Sequence, residues 1–339
     1  MSGMIRSIVC ERPGVLAEAA VPIPRRRGGE ALVKIRRVGL CGTDFHIYEG
    51  LHPFVQYPRI MGHELSGEVV EVGDSTAFKM GDLVIVNPYI ACGFCIACRN
   101  CKPNCCTKIE VLGVHRDGGM CEYIAVPEKN LIDADGLSAD EAATVEFLAI
   151  GAHAIRRANV STGHNLLVLG AGPIGLGVAI FAQIAGATVT ILDRDQGRLK
   201  LAQSVTGIDR LIEAEGAAQA VATATGGDGF DIVVDATGNL TSIENGFAYV
   251  AHGGSYVLVS IVKGSISFND AEFHKREMML IGSRNATRMD FDHVTASIRS
   301  GRVPVNALIT HRTTPTEAIG DIPRWSADKR DLVKALIVY

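Results

Sequence analysis

The 339-residue chain lacks most features that would set it apart from ordinary globular proteins. No uninterrupted apolar run reaches the about 18 residues that a spanning helix requires, and the N-terminus shows no charged region leading into an apolar core. A cytoplasmic protein without a membrane partner is the expectation. An excess of one charge is missing too: 33 Lys and Arg stand against 37 Asp and Glu, a net −4, so nucleic acid is not expected as a partner. The short Arg25-Arg26-Arg27 run is followed by two glycines and reads as a solvated loop. There is no internal repeat, low-complexity tract or coiled-coil heptad, which excludes solenoid and fibrous architectures.

The chain does have ample apolar material, and cysteine crowded into one place. At 47% hydrophobic residues it can fill one large or two medium cores, and two domains is the default. Six of the nine cysteines fall between Cys92 and Cys106, and in a reducing compartment such crowding indicates metal rather than disulfide. Cys92, Cys95, Cys98 and Cys106, with two, two and seven residues between successive members, can wrap a tetrahedral zinc ion in one loop lobe. Such a site is closed to water and structural. Cys101 and Cys105 are additional thiols, and Cys105 adjoins Cys106, so either of that pair can be the fourth ligand.

A second metal set is scattered. His63 and Glu64 in Ile60-Met61-Gly62-His63-Glu64 offer an imidazole and a carboxylate, Cys41 a soft thiolate, and Glu146 a further carboxylate. Cysteine, histidine and carboxylate drawn from separate segments, with room left for water or substrate, make a catalytic zinc site. Two zinc ions per subunit are therefore expected.

Up to about Leu131 the segments are short, rich in Val and Ile and broken by Gly, Pro and Asp, as in Ala31–Ile35 and Glu68–Gly73, which predicts a β-rich, barrel-like unit. Asp82–Val86 reads as a strand buried on both faces. The pattern turns helical between Gly136 and Ala158, with Ser138 as N-cap. An apolar strand Asn165–Leu169 then runs into Gly170-Ala171-Gly172-Pro173-Ile174-Gly175, an alanine-rich helix, a second strand Thr188–Leu192, and Asp193. Gly170 permits the tight turn, Gly172 lets backbone approach a pyrophosphate, and Gly175 allows close helix–strand packing. Asp193, eighteen residues past Gly175, can accept hydrogen bonds from ribose hydroxyls and repel a 2′-phosphate, so NAD is expected over NADP, with Arg194 and Arg198 nearby. Further strands are predicted at Phe230–Asp235, Ser255–Ser260 and Met278–Gly282, then a helix near Phe291–Arg299, a short strand at Asn306–Ile309 and a final apolar segment Leu332–Val338.

Taken together, these motifs resemble the zinc-dependent medium-chain dehydrogenase/reductase family, in its sorbitol and threonine dehydrogenase branch, along the whole chain. The resemblance implies an α/β protein with a GroES-like β-rich catalytic domain (residues 1–150, zinc lobe at 92–106), a Rossmann domain with a doubly wound parallel sheet (151–287), and a return to the catalytic domain (288–339). It implies Cys41, His63, Glu64 and Glu146 at the catalytic zinc, Thr43 and His46 as a proton relay that passes through the cofactor ribose, and a homodimer or homotetramer. Relatives commonly carry proline where this chain has Phe147. A closer likeness, to bacterial dehydrogenases of L-galactonate, rests on Asn87–Cys92, Gly113–Gly119, Glu272–Lys275 and Gly282–Thr287. It implies oxidation at the 5-position of a hexonate, with Arg284, His115 and Lys263 as candidate partners for the substrate carboxylate. A polyol or L-threonine is the alternative substrate, and a non-catalytic NAD-binding protein the remote one.

Overall fold

The computed structural model describes residues 3–73 and 77–339. The chain divides into two units, one of residues 1–146, 287–301 and 305–339, the other of residues 147–286 and 302–304. Among the described residues, no helix is long and apolar enough to cross a membrane.

The first unit is organised on the strand Glu30–Leu40. Along one edge it pairs antiparallel with Glu64–Glu71. Its other edge is shared: residues 30–34 pair with Tyr123–Pro127 and residues 37–40 with Lys334–Val338. Leu83–Val86 and Leu131–Asp133 extend the sheet on one side and Ile309–Thr313 on the other. Alternating apolar residues such as Val33, Ile35, Val69 and Ile337 are fully buried here, each stabilising the fold by roughly 1.5–3 kcal/mol relative to exposure. A three-stranded sheet, ordered Val15–Pro22, Met4–Arg12, Arg59–Ile60, joins the same core.

The second unit is a six-stranded parallel sheet in the order Leu211–Glu213, Thr188–Asp193, Asn165–Leu169, Phe230–Asp235, Val250–Leu258, Met279–Gly282. Numbered along the chain this is 3-2-1-4-5-6, the doubly wound arrangement whose switch point lies beside Asn165–Leu169. Its strands read as continuous apolar runs because helices cover both faces of such sheets. Met279–Gly282 forms one edge, where Met279 and Leu280 are exposed.

Two readings of the C-terminal region need correction. Asn306–Ile309 is not a strand: residues Val305–Leu308 make a helical turn, and the strand is Ile309–Thr313. Val305 and Leu308 are both buried, a three-residue spacing that one helical face satisfies and an alternating strand does not. A helix not among the sequence expectations spans Pro315–Ala327, with Thr314 and Glu317 forming a capping box before it and Pro315 at its first position.

Candidate active site

Cys41 lies where Glu30–Leu40 ends, and it caps the short helix Gly42–Tyr48. Asp44, three residues on and fully buried, accepts hydrogen bonds from the Cys41 amide at 2.9 Å and the Gly62 amide at 3.1 Å, which pins the two ligand-bearing segments together. Gly62 has φ +91°, and a Cβ there would stand 2.8 Å from Val38 Cγ1, so no other residue fits the turn that presents His63. Glu64 then opens the strand Glu64–Glu71. One ligand atom each from Cys41, His63 and Glu64 lies within 4.8 Å of the others. Among the described residues the buried His63 Nδ1 has no hydrogen-bond partner, and it lies 3.9 Å from Asp44 Oδ1. The half-buried thiol of Cys41 beside a buried imidazole and a buried carboxylate, with an orphaned ring nitrogen facing a further carboxylate, is a donor set that fits zinc.

Glu146 stands outside that triad. It is buried in the first turn of Val145–Arg157, and its Oε1 accepts the Tyr89 hydroxyl proton. Burial pushes its carboxyl up to about 7, against the opposing pull of His63. Tyr89 is itself buried and packs edge-on against Phe291, with ring centroids 6.4 Å apart. Sequence reasoning missed Tyr89, and also Lys334. Lys334 Nζ, buried, donates to Glu64 Oε2 at 2.6 Å and Oε1 at 2.7 Å. Burial works to lower the Lys334 value, but the surrounding anions, Glu64 foremost, outweigh it and hold the ammonium above its ordinary value.

Thr43 is half-buried, its Oγ1 accepting from Cys41 Sγ at 3.8 Å, and His46 is exposed one turn later. Residues three apart share a helix face, which places both side chains along one side of Gly42–Tyr48.

The cysteine lobe resolves an open choice. Cys92, Cys95, Cys98 and Cys106 bring their sulfurs within 4.8 Å of one another, while Cys101 and Cys105 are exposed. The 3₁₀ turn Pro103–Cys105 turns the adjacent cysteines apart. Cys106 Sγ accepts from the amides of Cys92 and Lys108, each at 3.3 Å. Cys95 caps the helix Ile96–Arg99, and amides of Cys98 and then Thr107 bring its thiol down to about 5, while burial and then the Cys95 sulfur push the Cys98 thiol up to about 11.

In the second unit Gly170 has φ +99°, which only glycine adopts freely. Gly172 caps the helix Pro173–Ile184, with Pro173 and Ile174 in its first turn, and a Cβ on Gly172 would meet nothing within 4 Å. At Gly175 an added Cβ would stand 1.8 Å from the Gly170 carbonyl oxygen. Asp193 ends its strand and accepts from the Ala171 amide at 2.6 Å through Oδ2. Arg194 beside it is exposed; Asp195 accepts from the Arg198 amide at 3.1 Å and so caps Gln196–Thr206. Open space above Gly172 and free amides at a helix N-terminus fit a pyrophosphate.

Of the candidate substrate residues, Arg284 and Lys263 belong to the second unit and His115 to the first, all three exposed. His115 Nδ1 accepts from the Val111 amide at 3.1 Å, and its ring stacks on Phe54 with centroids 6.1 Å apart.

Comparison with known proteins gives the family and the fold. Residues 27–136 match the family described as Alcohol dehydrogenase GroES-like domain, and residues 173–300 the family described as Zinc-binding dehydrogenase. The chain belongs to the zinc-binding alcohol dehydrogenase family. It is 40% identical over 334 residues to L-galactonate-5-dehydrogenase of Escherichia coli K12, covering 98% of each chain. Sorbitol dehydrogenase of Halalkalibacterium halodurans is 33% identical over 312 residues, 90% of each. Among solved structures, the rspB alcohol dehydrogenase of E. coli CFT073 in complex with NADH superposes with a TM-score of 0.93 at 29% identity, over 99% of this chain and 100% of that one. The resemblance read from the motifs, and with it the GroES-like and Rossmann folds, is borne out.

Proposed function

We propose that the chain is a zinc- and NAD-dependent dehydrogenase that oxidises a secondary hydroxyl of a sugar acid, an L-hexonate such as L-galactonate at its 5-position. The observation that carries this reading is the clustering of Cys41, His63 and Glu64, three zinc donors from two segments, in a chain 40% identical throughout to an L-galactonate-5-dehydrogenase. Cys41 and His63 hold the catalytic zinc with Glu64 and Glu146, and Cys92, Cys95, Cys98 and Cys106 hold a structural one. When bound, zinc supplies a Lewis acid that acidifies the substrate hydroxyl, and NAD supplies the hydride acceptor. The Thr43 hydroxyl would accept a hydrogen bond from the substrate hydroxyl and, as it takes that proton, hand on its own. His46, exposed on the same helix, exchanges it with solvent. Asp193 receives the adenosine ribose hydroxyls and repels a 2′-phosphate, while the backbone at Gly172 faces the pyrophosphate.

Arg284 is the favoured partner for the substrate carboxylate, because a guanidinium binds a carboxylate through two parallel hydrogen bonds. Lys263 and His115 are secondary candidates. Likeness to a sorbitol dehydrogenase supports a neutral polyol as the second reading. The protein is taken as cytoplasmic and as a dimer or tetramer, with the exposed edge Met279–Gly282 as pairing surface. Arg284→Ala tests the substrate class: kcat/KM for the hexonate falls by more than tenfold, about 1.4 kcal/mol, while that for the corresponding polyol changes little. An equal loss for both removes Arg284 from carboxylate recognition.

A further inference from the structure

Glu64 stands opposite Gly39 in the sheet, and Gly39 stands opposite Leu336 on the C-terminal strand. The Glu64 carboxylate lies across Gly39: a Cβ added there would sit 2.2 Å from Glu64 Oε2 and 2.9 Å from Glu64 Cβ. Any larger residue at position 39 would take the carboxylate's place. Lys334 Nζ reaches both carboxylate oxygens, and it donates a third hydrogen bond to the Leu40 carbonyl at 3.0 Å. That carbonyl belongs to the residue just before Cys41. An ammonium has three donors, so Lys334 is fully committed. The two side chains are 1% and 0% exposed. A buried pair of this kind gives a fold little that packed apolar residues would not, so stability alone does not account for it.

The geometry points to Lys334, seated by Gly39, as the resident counter-ion of the metal site: the C-terminal strand supplies the charge that keeps the Glu64 carboxylate buried beside Cys41 and His63 when the metal is absent. This rests on the zinc reading above for the purpose of the site, but not for the pair itself. The ammonium and the metal are two cations serving one carboxylate, and each lessens the need for the other. Loss of Lys334 therefore harms the zinc-depleted protein more than the zinc-loaded one. A role in packing alone would harm both equally.

The test compares wild type, Lys334→Met, Glu64→Gln and the double variant, each zinc-loaded and after dialysis against a chelator, by thermal midpoint and bound zinc. In the depleted form Lys334→Met lowers the midpoint by at least about 6 °C, as loss of one partner of a buried pair does. The zinc-loaded form loses clearly less, and the double variant recovers most of the depleted-form loss because no uncompensated carboxylate remains. Equal losses in the two forms, or no recovery in the double variant, would overturn the proposal. Should Lys334→Met not fold, a folded double variant supports the proposal and an unfolded one refutes it. The zinc reading is tested separately by His63→Ala: if that variant keeps the full zinc complement the reading fails, while the depleted-form comparison still decides the role of Lys334.

Discussion

Two glycines three residues apart, Gly172 and Gly175, should fail in opposite ways when each is changed to alanine. At Gly175 the new methyl would lie 1.8 Å from the Gly170 carbonyl oxygen, far inside contact distance, so the helix must move off its strand. Overpacking of this kind costs about 1–3 kcal/mol, and at about 2–4 °C per kcal/mol the thermal midpoint of Gly175→Ala falls by about 2–12 °C. At Gly172 the methyl meets, among the described residues and apart from its own chain neighbours, no atom within 4 Å, and φ is −77°, so the backbone accepts alanine. The poorer N-cap costs up to about 1 kcal/mol and the reduced freedom of the unfolded chain returns about 0.4–1 kcal/mol, leaving stability nearly unchanged. The same methyl intrudes on the space assigned to the pyrophosphate, so NADH binding, followed by fluorescence titration, weakens at least tenfold, about 1.4 kcal/mol. Wild-type NADH affinity in Gly172→Ala would refute the placement of the pyrophosphate, and an unchanged midpoint in Gly175→Ala would refute the packing argument.

Other substitutions separate the remaining parts of the account. Cys98→Ala opens the cysteine lobe and lowers the thermal midpoint, whereas His63→Ala removes one zinc equivalent and turnover while leaving most of the midpoint; equal loss of fold in both variants counts against the division into structural and catalytic sites. Asp193→Ala narrows the preference for NAD over NADP by removing both ribose bonds and repulsion, measured as the ratio of kcat/KM values; a wild-type enzyme that favours NADP contradicts the role given to Asp193. Burial pushes the Asp140 carboxyl up, yet hydrogen bonds from Arg312 and Arg37 outweigh it and hold it below its ordinary value. A depressed folded value means stabilisation is complete above the unfolded value of about 3.9 and is lost as pH falls through the folded one. The midpoint gap between wild type and Asp140→Asn is thus constant from about pH 7 to about pH 5 and closes below about pH 4, and a gap that persists into stronger acid argues against the ion pair as its source.

Much of the second unit was legible because its signals are local: an apolar strand, the glycine turn and the helix start follow within a dozen residues, and Asp193 comes at a fixed distance beyond. The cysteine lobe was legible for the same reason, except for its last ligand. Cys105 and Cys106 are chemically identical neighbours, and only the 3₁₀ turn Pro103–Cys105 decides which one faces the cluster. What escaped the sequence is long-range. Tyr89 meets Glu146 across 57 positions and Lys334 meets Glu64 across 270, and no periodicity or spacing links residues so far apart. Lysine at position 334 opens an apolar strand and directly follows Leu332 and Val333, a local inconsistency that could have marked it as functional. The helix Pro315–Ala327 had its signal in Thr314-Pro315-Thr316-Glu317, which went unread between two apolar segments.

The central claim is tested most directly by initial rates of NAD reduction at 340 nm with L-galactonate, other hexonates, sorbitol, galactitol and L-threonine, each before chelation, after removal of the labile zinc and after its return. The account predicts the highest kcat/KM with an L-hexonate, loss of that activity on zinc removal, and recovery on adding Zn²⁺. Faster turnover of a polyol or of L-threonine than of every hexonate, or a hexonate rate indifferent to zinc removal, would contradict it.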